Sequence, residues 1–113
     1  MKRLLLALAL FCSVAFAQTQ HSATLNWTQS ITPGLTGNNV YRGTTTGGPY
    51  TLITATPINP TTTYVDFTVS AATTYYYVVT ALVGVEESAY SNQITAVIPT
   101  TTASPTNLTV IAK

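Results

Sequence analysis

Apolar and polar residues alternate from Ala23 onward: Ala23, Leu25 and Trp27 are apolar, and Thr24, Asn26 and Thr28 are polar. Successive side chains of an extended strand point to opposite faces. This period of two therefore predicts a strand over Ser22–Thr28 with one buried side. Farther along, Thr74-Tyr75-Tyr76-Tyr77-Val78-Val79-Thr80-Ala81 is the longest aromatic and β-branched run of the chain. Such residues suit a pleated, half-buried surface, and they predict a strand over Thr73–Leu82. On it Tyr75, Tyr77, Val79 and Ala81 share the face assigned to the core, while Tyr76, Val78 and Thr80 share the other.

Shorter runs predict strands at Asn38–Arg42, Tyr50–Thr54, Thr62–Val69 and Gln93–Ile98. The breaks between them are rich in turn formers: Thr32-Pro33-Gly34, Gly47-Gly48-Pro49, Pro57 with Pro60, Ser70-Ala71-Ala72, and a hairpin loop over Gly84–Ser88. No stretch keeps an apolar period of 3.6 over the length of a helix. Short strands separated by turn signals point to an all-β sandwich.

The N-terminus follows another logic. Lys2 and Arg3 precede an apolar run from Leu4 to Phe11, and Ala15-Phe16-Ala17 forms an A-x-A cleavage site. That pattern predicts a secretory signal peptide over residues 1–17, with an apolar run shorter than the roughly 20 residues that span a bilayer. The mature chain is expected to start at Gln18 and to be secreted, the periplasm being the other compartment an export signal allows. Residues 18–99 suffice for one sandwich domain. Cys12, the single cysteine of the sequence, leaves with the signal peptide, so the mature domain is expected to hold no disulfide.

Charge removes several partners. Beyond residue 17 the charges are Arg42 and Lys113 against Asp66, Glu86 and Glu87, close to neutral. Without a basic patch, nucleic acid is excluded as a partner, and so is electrostatic membrane binding after signal cleavage. Threonine takes the place of lysine and glutamate on the outward faces. The sheet edges therefore carry few charged gatekeepers against pairing with another chain.

No catalytic constellation emerges. His21 is the one histidine, and a Ser-His-Asp set would have to bring it to Asp66 and a serine; no G-x-S-x-G elbow is present. Glu86 and Glu87 are adjacent, so strand alternation points them apart instead of across a glycosidic bond. Zinc and EF-hand spacings are absent. A non-enzyme without metal or cofactor is expected. Asn26 and Asn107 open glycosylation sequons, of which Asn26 falls inside a predicted strand. The aromatic surplus is the functional hint within the domain. Tyr41 and Tyr76 fall on the parity opposite to their core neighbours, where a ring can stack on a polysaccharide or a protein. Cross-strand structural pairing is the alternative.

Leu25-Asn26-Trp27, Val40-Tyr41-Arg42-Gly43-Thr44-Thr45-x-Gly47-Gly48-Pro49-Tyr50, Thr74-Tyr75-Tyr76-Tyr77-Val78-Val79-x-Ala81 and Glu87-Ser88-x-Tyr90-Ser91 together resemble a bacterial fibronectin type III domain. The resemblance spans nearly the whole mature chain. It implies an immunoglobulin-like β-sandwich of about seven antiparallel strands, with Trp27 in the core and Tyr75 as a tyrosine corner bonded to backbone upstream. Val69 becomes the apolar residue of the preceding turn. Such domains commonly serve as spacers and adhesion units, which implies a structural or adhesive, non-catalytic module. Two departures stand out. Asn38 occupies a position usually aromatic, and the opening strand A is missing, because only Gln18 to His21 precede the first strand.

After Pro99, residues 100–105 read as a Thr/Ser/Pro linker, and residues 106–113 follow as a strand A-like segment, with Thr106-Asn107-Leu108-Thr109-Val110-Ile111-Ala112 resembling the missing strand. Three readings compete: the remnant of a lost second domain, a permuted strand returning in cis, or a strand that pairs with the open edge of the next molecule. The last would give a head-to-tail homo-oligomer. Leu108 and Val110, or Val110 with Ala112, would then be the inserted residues.

Overall fold

The computed structural model describes residues 20–100 and 105–113. The expected signal peptide and linker residues 101–104 lie outside the described residues. The described chain forms seven strands and no helix: β1 (Ala23–Asn26), β2 (Gly37–Gly43), β3 (Thr51–Leu52), β4 (Thr63–Asp66), β5 (Thr74–Val83), β6 (Glu86–Glu87) and β7 (Ile94–Val97). Six of them lie where hydrophobic alternation predicts them. The seventh, β6, forms where a hairpin loop is expected. Gly84, with φ of 62°, lets Gly84-Val85 close a two-residue turn, so that Glu86 and Glu87 pair with Val83 and Leu82.

Two antiparallel sheets face each other. One holds only β1 and β4, with Ala23 opposite Asp66 and Asn26 opposite Thr63. The other runs β3-β2-β5, with β6 and β7 following one another along the far side of β5. Val40 and Tyr77 are fully enclosed between the sheets, surrounded by Ala23, Leu25, Val69, Tyr75 and Ile98. The Tyr75 hydroxyl accepts a hydrogen bond from the Ser70 N–H at 3.0 Å, so the tyrosine corner is in place and fixes the turn before β5.

Asn38 is buried, and hydrogen bonds take over from the missing aromatic ring. Its amide donates to Thr80 O and Gln29 Oε1, and its Oδ1 accepts from Gln29 Nε2 at 2.7 Å. Its backbone is bonded in both directions to Ile58. A buried amide is tolerated when its donors and acceptor are matched in this way.

The two faces of β5 differ in burial from what a one-sided core would give. Val78 and Thr80, assigned outward, are buried, whereas Val79 and Ala81 are only partly so. Two causes act together. Tyr41, the cross-strand partner of Val78, and Glu87, bonded to the Thr80 hydroxyl, cover the outer face. The inner face opens toward a cleft at Val79 and Ala81. Where β6 gives way to β7, the Ser88 and Ser91 hydroxyls accept from the Ala81 and Val79 N–H groups, each at 2.9 Å. Two side chains there do the work of a strand's carbonyls.

Candidate functional site

The first candidate is the open seam along one side of the sandwich. The Trp27 N–H donates to Thr62 O at 3.0 Å, on the β4 side. Antiparallel hydrogen bonding alternates along a strand, so Leu25 and Ala23 also turn their main chain to β4. Thr24 and Asn26 then present theirs to the opposite side, where among the described residues no strand pairs with β1. On the facing sheet, β7 is bonded to β5 along one edge only.

Between β1 and β7 lies a cleft of about 510 Å³ lined by Leu25, Trp27, Tyr77, Val79 and Ile94. It shares Leu25 and Ile94 with a narrower opening of about 220 Å³ between Ala23 and Ile98. Burial fades from Ile98, just past β7, back along its inward residues: Ile98 is 5% exposed, Ala96 is half-buried and Ile94 is 56% exposed. Trp27 is likewise half-buried rather than enclosed, and its buried indole N–H has no acceptor among the described residues. Among the described residues no strand covers the inner face of the core at that end, which accounts for the exposure of Ile94 and Trp27.

The C-terminal candidates sit apart from this seam. Residues 105–113 pair with no described strand, and Leu108 and Val110 are 95% and 86% exposed. Asn107 takes a left-handed φ of 58°, so the run able to extend begins at Leu108 instead of Thr106.

The tyrosines are arranged differently from the expected pair of exposed rings. Tyr41 and Tyr76 are both half-buried. The Tyr41 hydroxyl donates to Glu87, and its ring meets Tyr90 edge-on at 5.2 Å. Tyr90 in turn meets Tyr50 at 5.2 Å, and the Tyr50 hydroxyl donates to Gln93 at 2.6 Å. Tyr76 lies outside this row. Tyr50 lies just before β3 and Tyr90 between β6 and β7, so strand parity singles out neither. The Glu87 carboxyl lies below its ordinary range because it accepts from the Thr80 and Tyr41 hydroxyls, and the same contact raises Tyr41.

Asp66 is the third candidate. Its carboxylate is 1% exposed and accepts from Arg42 Nη1 at 2.8 Å, the Tyr77 hydroxyl at 2.7 Å, and both the N–H and the hydroxyl of Thr68. Burial alone would push the carboxyl up. The bonds from Thr68, Tyr77 and Arg42 outweigh it and hold the group below the usual range. Burial and the neighbouring carboxylate raise Tyr77. His21 is not among the donors to Asp66, so the triad considered from sequence is not assembled. The set spans both sheets and works as a polar clamp. Among the described residues no cluster of three or more metal-ligating side chains occurs, and no helix is long and apolar enough to cross a membrane.

Two facing antiparallel sheets with a tyrosine corner define an immunoglobulin-like β-sandwich. No family model and no curated protein matches the chain. Among solved structures, the crystal structure of a Fn3-like protein from Clostridium thermocellum is 41% identical, with a TM-score of 0.61, covering 69% of this chain and 77% of that one. The chain belongs to the fibronectin type III-like (Fn3-like) family.

Proposed function

We propose that this Fn3-like chain is an exported, non-catalytic structural or adhesive module that joins copies of itself through its C-terminal segment. The observation that carries the reading is the coexistence, in one chain, of an unpaired β1 edge and an exposed apolar tail. An extended segment adds to a sheet edge through main-chain hydrogen bonds, and its alternate side chains fill pockets. Because donor and acceptor surfaces differ, such contacts are heterologous, and where the rotation between copies does not close they repeat head to tail. A non-catalytic role agrees with the employment of the carboxylates: Asp66 and Glu87 are held by structural donors.

Light scattering over a concentration series tests the assembly. Residues 18–113 are expected to gain mass with concentration, and a chain ending at Pro99 to remain monomeric. Equal mass for the two at every concentration overturns the reading.

A second reading, an extracellular polysaccharide site, has one observation behind it. Tyr90 is 51% exposed beside the Glu87 carboxylate, in a shallow depression also lined by Tyr41 and Thr80. An aromatic face next to a hydrogen-bond acceptor suits a sugar ring. Pull-down on insoluble polysaccharides tests it. Tyr90→Ala and Tyr41→Ala should each weaken retention by about tenfold, the worth of one stacked ring. Tyr76→Ala, outside the row, should not. Retention unchanged by the first two variants removes this reading.

A further inference from the structure

We propose that the cleft between β1 and β7 receives residues 108–112 of a second copy, laid antiparallel to β1 with Leu108 opposite Trp27; this rests on the assembly reading above and gives it a site, a direction and a register.

The direction follows from size. An antiparallel strand starting at Leu108 begins at the Trp27 end of β1 and finishes with Ala112 at the Ala23 end. The largest inward side chain then enters the wide cleft of about 510 Å³ beside Trp27 and Ile94, and the smallest enters the narrow opening of about 220 Å³. Strand alternation turns Leu108, Val110 and Ala112 inward together. A parallel strand would place Ala112 in the wide cleft and Leu108 in the narrow one. The incoming strand would bond to the main chain of Thr24 and Asn26, the residues of β1 whose backbone faces away from β4. It would also cover Ile94. No Asp, Glu, Lys, Arg or His lines the seam, and the inserted residues are uncharged, so no charge is desolvated on docking.

The donor is a second copy because the segment is left unpaired by the described strands of its own molecule. Pro99 lies at the Ser22 end of the seam, whereas the antiparallel strand starts at the Trp27 end. Eight residues, 100–107, separate Pro99 from Leu108. A cis return would have to run this connection, about 30 Å when fully extended, along the whole seam and then reverse it. A tight hairpin after Pro99 would instead run parallel to β1 and lose the size match. In the single chain Leu108, Val110 and Ile111 remain exposed although the connection is long enough to reach. A neighbouring molecule's segment needs no such reversal.

Disulfide trapping in the full mature chain reads the register directly, because residues 18–113 contain no cysteine of their own. With Leu108 opposite Trp27, Thr109 lies opposite Asn26 and Ile111 opposite Thr24. Oxidising a chain that carries both Asn26→Cys and Thr109→Cys should give a ladder of covalent oligomers on a non-reducing gel. Thr24→Cys with Thr109→Cys, out of register, should not. A closed covalent monomer from the first variant overturns the donation in trans. Tail-dependent oligomers that fail to cross-link at either pair overturn the site and leave the assembly reading standing; oligomers that persist without the tail overturn both. Face selectivity gives a second readout that leaves the sandwich untouched. Leu108→Asp should abolish the concentration-dependent mass, whereas Ile111→Asp, directed to solvent, should leave it unchanged. The reverse order overturns the register.

Discussion

Asp66→Ala is expected to cost the domain about 3–5 kcal/mol in urea unfolding at neutral pH, the usual loss when one partner of a buried ion pair is removed. The carboxylate joins groups from both sheets: Arg42 on β2, Tyr77 on β5, and Thr68 just beyond β4. Without it the Tyr77 hydroxyl loses its acceptor inside the core, and Arg42 keeps only Thr68 and its place 4.8 Å above the Tyr75 ring. A domain of this size has about 5–15 kcal/mol in total, so a large part of the margin is at stake. The acid response has a definite sign. Asp66 is held below its ordinary value in the folded state, so its contribution is complete above the unfolded carboxyl value of about 4. That contribution is lost as pH falls through the lower folded value. The wild-type melting temperature should therefore drop below pH 4, and the gap between wild type and Asp66→Ala should narrow there. A loss under about 1 kcal/mol at neutral pH would show the clamp to be no stronger than an exposed ion pair.

Tyr77→Ala should destabilise the isolated domain more than Trp27→Ala. Tyr77 is fully enclosed and carries the hydroxyl that bonds Asp66. Its truncation creates a cavity and strips a donor from the clamp, together about 3–5 kcal/mol. Trp27 borders the open cleft, so part of its ring is already in contact with solvent and less is lost on its removal. Denaturant unfolding at concentrations where the protein is monomeric ranks the two. A larger loss for Trp27→Ala would mean that the seam is closed in the free domain.

The difference between these residues shows what one dimension of information can carry. Alternation places Leu25, Val40, Tyr75 and Tyr77 in the core because the pleat converts period two directly into a face. It also places Val78 and Thr80 on the outer face, but does not show that this face is covered. The cover over them comes from Tyr41 and from Glu87 on β6, and the neighbouring chain is tied to β5 by the side chains of Ser88 and Ser91. No local pattern encodes those contacts. Asp66 reads in sequence only as one of three carboxylate side chains. Its burial depends on Arg42 and Tyr77 arriving from the other sheet, a coincidence of register between distant segments. The sequence predicts an uncovered edge beside β1, but not the change in cleft size from the Trp27 end to the Ala23 end, because that depends on how far apart the two sheets stand.

The smaller sheet also has a consequence for motion. Two strands of four residues each are marginal on their own. The Asp66 clamp fastens them to the larger sheet near Ala23, and the Trp27 end abuts the cleft. Fluctuations of the native state should accordingly begin at that end, with β1 and β4 peeling away while β2 and β5 stay paired. Amide protons of Thr24 and Asn26 exchange with solvent without any opening, those of Leu25 and Trp27 exchange through this partial detachment, and that of Val40 waits for global unfolding. A molecule that lends a strand to its neighbour would thus also slow the neighbour's fastest internal motion.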